Sequence, residues 1–77
     1  MSTALSALKP GQTGVVLGFV EIDDVALRLM QMGMIEGTVI EVIRYAPAGD
    51  PMEIRVLGYA LSLRAEEAAK VLVSDVA

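Results

Sequence analysis

The chain has 77 residues, ten acidic against six basic side chains, a net charge of −4, and neither cysteine nor histidine. Those absences exclude disulfides, thiolate nucleophiles, zinc sites of the Cys/His kind and the imidazole general base. A nucleic-acid binder ordinarily carries a basic patch, whereas Lys9, Arg28, Arg44, Arg55, Arg64 and Lys70 are scattered along this sequence.

The length predicts one domain over residues 1–77, with a small core, since a chain this short buries only about 60% of its unfolded surface. Apolar residues make up 55% of the chain without counting glycine, above the usual ~45–50% that includes it. Two expectations follow: a tightly packed small barrel, or an exposed apolar patch that meets a partner or a second copy. Met1 to Pro10 holds a single base, Lys9, and no apolar run of leader length. No stretch approaches the roughly 18 apolar residues of a membrane span.

In Ser2 to Leu8, Leu5 and Leu8 are spaced for one helical turn with both leucines on one side. Pro10-Gly11 marks a turn. Thr13 to Val20 is a strand by content, apolar on both alternating faces, and Gly18 inside it suggests a bulge or bend. Glu21 to Asp24 is acidic. Asp23 or Asp24 is placed to cap a helix by accepting from its free first-turn amides, and the same carboxylates with Glu21 are the oxygen ligands a hard cation would need. Their close spacing matches no known cation loop, so the cap is the stronger expectation.

The helix is expected from Asp24 to Met32. Val25, Leu29 and Met32 fall on one face, Ala26 and Met30 flank it, and Arg28 and Gln31 lie on the polar side. Gly33 is the expected helix stop, because glycine accepts positive φ without a Cβ clash. Glu36-Gly37 is then a turn. Met30, Met32 and Met34 carry soft thioethers that suit Cu(I); without Cys or His nearby, flexible packing or an adaptable binding surface is the favoured reading.

Thr38 to Tyr45 is the second strand, and Ala46 to Pro51 a loop, since two prolines and a glycine cannot continue a ladder. Met52 to Leu57 is the clearest strand, with Met52, Ile54 and Val56 pointing one way and Glu53 and Arg55 the other. Gly58-Tyr59 lies at a tight hairpin, from which Ala60 to Arg64 returns with Leu61 and Leu63 inward. Ala65 to Ala69 is one helical turn, and Val71 to Val73 a closing strand. Five short strands with a helix after the first describe a small barrel. No catalytic triad is possible without His or Cys, and Gly11-Gln12-Thr13-Gly14 lacks the lysine and spacing of a phosphate loop. An enzyme is not expected.

The order of these signals resembles the FeoA family of ferrous iron transport accessory proteins, and the related C-terminal barrel of iron-dependent repressors. The matching residues are Leu5, Leu8, Lys9-Pro10-Gly11, Gly14-Val15-Val16, Arg28-Leu29, Met32-Gly33-Met34 and Glu36-Gly37-Thr38. They continue with Pro47, Gly49-Asp50-Pro51, Ile54, Val56, Gly58, Leu61-Ser62-Leu63-Arg64, Glu67-Ala68 and Val71-Leu72-Val73. Met32 and Met34 stand where the family often has leucine, and Glu36 where it often has proline. The resemblance implies a mainly β fold, an SH3-like five-stranded barrel, in the cytoplasm. It implies an accessory or regulatory role at a FeoB-type membrane ferrous iron transporter with a cytoplasmic GTPase part; no residue set points to a cofactor or a metal site, which agrees with a protein that need not hold iron itself. Arg28, Gln31, Met32 and Met34, at the helix and its exit, are the expected contact. A nucleic-acid-binding barrel is the alternative; it requires Arg44, Arg55 and Arg64 gathered around Tyr45 or Tyr59. A GTPase activator would instead need Arg28 or Arg44 projecting freely.

Overall fold

The computed structural model describes residues 2–77. In chain order the strands are β1 (Thr3–Ala4), β2 (Thr13–Phe19), β3 (Val39–Tyr45), β4 (Met52–Val56), β5 (Tyr59–Leu63) and β6 (Val71–Ser74). Helix α1 (Asp24–Gln31) follows β2, and α2 (Ala65–Ala68) precedes β6. All pairings are antiparallel, in the sheet order β1-β6-β2-β3-β4-β5.

Six strands form where five were expected. The extra one is the two-residue β1, whose Thr3 and Ala4 pair with Val73 and Leu72. Two residues carry no alternation to read, so the partner strand alone specifies it. The expected turn after it is a 3₁₀ turn, Leu5–Ala7, with Leu5 and Leu8 both buried.

Two irregularities bend the sheet around its core. The β2–β6 register shifts between Val16 and Gly18, and the β3–β4 register between Val42 and Arg44. Each leaves one residue, Leu17 and Ile43, without a partner in the ladder, which increases the local twist. Gly14 lets β2 lie close to β6: a Cβ there would stand 3.3 Å from Val73 Cβ and 3.5 Å from Leu8 Cδ2.

The core is built by alternation. Met52, Ile54 and Val56 of β4, Leu61 and Leu63 of β5, and Val71 and Val73 of β6 point inward, with Val16, Ile40 and Val42 from β2 and β3. No polar or charged residue is buried among the described residues. Tyr45 is half-buried; its hydroxyl donates to Leu8 O at 2.6 Å, with Ser6 O 3.2 Å away, and ties β3 to the 3₁₀ turn.

The apolar excess is divided between a packed core and side chains left at the surface. Leu17, Val20, Ile22, Leu27, Met32, Ile35, Val39, Leu57, Tyr59 and Val76 all remain exposed. The strand β2 is buried on one face rather than two: Val16 is covered and Leu17 is not.

Candidate interaction surface

Helix α1 starts where the acidic segment provides a cap. Asp23 Oδ1 accepts from Ala26 N at 2.9 Å, and Asp23 Oδ2 accepts from Lys70 Nζ at 2.8 Å. Both carboxylate oxygens are therefore engaged, and the hydrogen bond from Lys70, aided by the Ala26 amide, holds the Asp23 carboxyl below its ordinary range. Asp23 in turn pushes the Lys70 ammonium pKa up. A second pair, Arg28 with Glu67, links the same helix to α2. Burial pushes the Glu67 carboxyl up, but the Arg64 amide and the Arg28 guanidinium more than offset this and hold it low. Two ion pairs thus fasten α1 to the segment running from α2 into β6.

The buried face of α1 is Ala26 and Leu29, with Val25 and Met30 half-covered. Met32, expected on that face, is instead 37% exposed, because the helix stops at Gln31 and Met32 is its C-cap. The stop is a Schellman motif. Gly33 N donates to Met30 O at 3.1 Å, Met34 N donates to Leu29 O at 3.0 Å, and Gly33 sits at φ +105°.

That motif corrects one expected contact residue. Met34 is fully buried. The residue after a Schellman glycine packs back on the helix's last turn, and Met34 does so within the cluster that holds Leu29. Arg28, Gln31 and Met32 stay exposed on the helix end, so the expected set of four reduces to three at the surface.

Residues not expected in this contact extend the surface. The hairpin turn between β4 and β5 is Leu57-Gly58, at φ +51° and +83°, the two-residue form in which both central residues need positive φ. Asparagine or aspartate is the usual first residue of such a turn; here it is a leucine, 69% exposed. Its side chain lies against the backbone of Gly33, where an added Cβ would stand 2.5 Å from Leu57 Cδ1. The Tyr59 hydroxyl donates to Met32 O. Val39 is the next outward position beside Leu57, one step beyond the Ile40–Val56 pair. Met32, Val39, Leu57 and Tyr59 therefore form an apolar rim where the helix end meets the hairpin tip. The signal in the sequence was Leu-Gly in place of Asn-Gly at a two-residue hairpin.

Beside this rim, between α1 and β5, runs a groove of about 470 Å³ whose lining includes Leu29, Met32 and Leu61 together with the charged Arg28, Arg64 and Glu67. The remaining arginines are neutralised across the sheet. Arg44 Nε lies 2.8 Å from Glu53 Oε1, and Arg55 Nε 3.9 Å from Glu41 Oε1. Arg28 and Arg44 are each paired with an acid while more than half of each side chain stays exposed, and Arg44 and Arg55 each face an acid rather than a stacking platform. Among the described residues no three His, Cys, Asp or Glu side chains converge as a metal site, and no helix is long and apolar enough to cross a membrane.

Comparison with known proteins agrees with the fold. The family model described as the FeoA domain matches residues 3–75. A curated relative from Porphyromonas gingivalis, an Fe(2+) transport protein A/Fe(2+) transporter FeoB fusion protein, is 36% identical over 67 residues. That match takes in 87% of this chain but only 8% of the relative's length. The solution structure of a FeoA-like protein from Clostridium acetobutylicum superposes with a TM-score of 0.88 at 37% identity, covering 95% of this chain and 85% of that one. The zinc complex of Stenotrophomonas maltophilia FeoA, described as a prokaryotic SH3 domain protein, superposes with a TM-score of 0.82 at 28% identity, over 96% and 89% of the two chains. The fold is accordingly SH3-like. It recurs in the T. acidophilum IdeR structure, with a TM-score of 0.81 at 23% identity over 95% of this chain and 33% of that one.

Proposed function

The chain belongs to the FeoA family, and from that membership we propose that it is an accessory protein of ferrous iron uptake. It acts by binding the cytoplasmic part of a FeoB-type membrane transporter, and so works at the cytoplasmic face of the membrane without entering it. The observation that carries this reading is the relative in which a matching segment and the transporter are one polypeptide. Tethering two modules raises their mutual concentration to the millimolar range, which favours even a weak contact between them.

The contact is the helix end and hairpin tip. Met32, Leu57 and Tyr59 supply apolar anchors, and Arg28 and Gln31 supply a polar border. Small interfaces gain most of their energy from a few such anchors ringed by polar groups. Leu57 strengthens the reading. A bulky side chain at φ +51° carries a backbone cost of roughly 1–2 kcal/mol, and such outliers concentrate where function retains them. The chain contributes no catalytic group to this role.

The test is binding of the purified cytoplasmic part of the transporter to the wild type, Met32→Asp and Leu57→Asp. Both positions are exposed, so both variants should keep the wild-type circular dichroism spectrum. Binding by the wild type with a loss of at least about tenfold in each folded variant is expected, the size of one lost anchor. Equal binding by wild type and variants would remove this surface from the interface.

A further inference from the structure

The sheet ends at β5, and its outer edge is open. In a two-residue hairpin the residues flanking the turn form a hydrogen-bonded pair, and such pairs alternate along an antiparallel ladder. Val56–Tyr59, Ile54–Leu61 and Met52–Leu63 are therefore the bonded pairs. Ala60 and Ser62 turn their N–H and C=O groups away from β4. No turn or capping hydrogen bond takes up these groups among the described residues.

Natural edge strands are usually blunted by lysine, proline, a bulge or a covering loop. The stretch Tyr59-Ala60-Leu61-Ser62-Leu63 has no lysine and no proline, and its register with β4 is unbroken. Beside it lies the groove, whose walls are apolar at Leu29, Met32 and Leu61. The charge in its lining is also distinctive. Arg28 and Arg64 stand there against the single carboxylate of Glu67, and Glu67 is already paired with Arg28. Arg64 makes no ion pair among the described residues. The groove lining thus carries two guanidinium groups against one carboxylate, with Asp50 beside them accepting from Ala65 N at 2.9 Å.

An open edge, an apolar trough along it and an unpaired guanidinium at one end are the elements of strand addition, in which main-chain bonds give affinity and side-chain pockets give selectivity. We propose that β5 is extended by a strand from the partner. The occupant is an extended segment of the transporter's cytoplasmic part that pairs with Ala60 and Ser62, lays an apolar side chain against Leu61 and Met32, and sets a carboxylate on Arg64. This rests on the reading that the transporter is the partner, and it specifies how that partner is held.

The edge amides report the pairing directly. In ¹⁵N-labelled protein alone, the Ala60 and Ser62 amides should exchange rapidly with solvent, while those of Leu61 and Leu63 are protected. Saturation with the purified cytoplasmic part of the transporter should slow Ala60 and Ser62 by at least about tenfold, the mark of a newly formed hydrogen bond. Arg64→Glu should weaken binding by about tenfold and reduce its salt dependence. Ser62→Pro, which removes an outward donor and leaves the β4 pairs intact, should weaken it similarly, with protection at Leu61 and Leu63 as the folding control. Binding with unchanged exchange at Ala60 and Ser62 overturns strand addition and leaves the transporter as partner. No binding at all overturns both. Protection that grows with the concentration of the protein alone assigns the edge to a second copy and overturns the proposal.

Discussion

Replacing Gly33 by alanine probes the junction on which the surface depends. Two costs arise. The backbone at φ +105° is unfavourable for an L-residue by roughly 1–2 kcal/mol. The new methyl also stands 2.5 Å from Leu57 Cδ1 and 3.3 Å from Leu57 Cγ. Leu57 is 69% exposed, however, so its isobutyl group can swing into solvent at little cost. The expected penalty is the backbone term alone, about 1–2 kcal/mol, which lowers Tm by about 4–16 °C for a domain this size. Thermal and urea unfolding of the wild type, Gly33→Ala, Leu57→Ala and the double variant gives the full cycle. The Gly33→Ala penalty should be the same in both backgrounds to within about 0.5 kcal/mol. A penalty that falls by more than about 1 kcal/mol when Leu57 is already alanine would refute the reasoning, because Leu57 would then be fixed against the helix end rather than resting on it.

Ile54→Ala empties the centre of β4, where Ile54 is fully buried. It should cost about 2–5 kcal/mol, a large share of the roughly 4–12 kcal/mol expected for a domain of this length, as read by urea unfolding. Tyr45→Phe removes the hydroxyl bond to Leu8 O and should cost about 0.5–1.5 kcal/mol, with faster hydrogen exchange at the Leu8 amide. The folded pKa values of Asp23 and Glu67 are both depressed. Their contribution is complete above the ordinary carboxylate value near ~4 and is lost as pH falls through the folded values. Asp23→Asn and Glu67→Gln should each flatten the acid limb of a stability–pH profile, and Asp23→Asn should keep more stability than Asp23→Ala because asparagine still caps. The Lys70 pKa is raised, so its contribution is present below the ordinary lysine value near ~10.4 and disappears as pH rises through the folded value.

Where a residue's environment is set by its near neighbours in the chain, the sequence was readable. The alternation of β4, the Asp23 cap and the Gly33 stop all follow from local chemistry, and all three are present. The strand β1 could not be read, because a partner 70 positions along the chain specifies it, as the Thr3–Val73 pair shows. Met32 and Met34 were both expected in the contact, Met32 also on the apolar helix face and Met34 also against the helix end; Met32 is exposed and Met34 buried. Helical periodicity placed Met32 inside, but the helix ends one residue earlier; Met34 lies past the glycine, where periodicity no longer applies and the Schellman bond to Leu29 decides. That burial was recoverable from the capping rule. The hairpin was expected at Gly58-Tyr59 and turns one residue earlier, at Leu57-Gly58, and the exposure of Leu57 over Gly33 depends on how two distant turns meet, which no window of sequence contains. The groove has the same origin, since α1 and β5 are brought together only by the bend of the sheet.

The place of β6 between β1 and β2 sets an order of events for the nascent chain. β2, β3, β4 and β5 are contiguous along the sheet, so they can zip together from local hairpin contacts as they emerge. β1, although made first, has nothing to pair with until Val71 to Ser74 has left the ribosome. Until then Val16 lacks Val73 opposite it, and the unfinished sheet presents a second open edge. Non-local pairings of this kind are slow to form and prone to association while they wait. A chain truncated just before Val71 should be a sticky, protease-sensitive intermediate, and supplying β6 should complete the fold in one cooperative step.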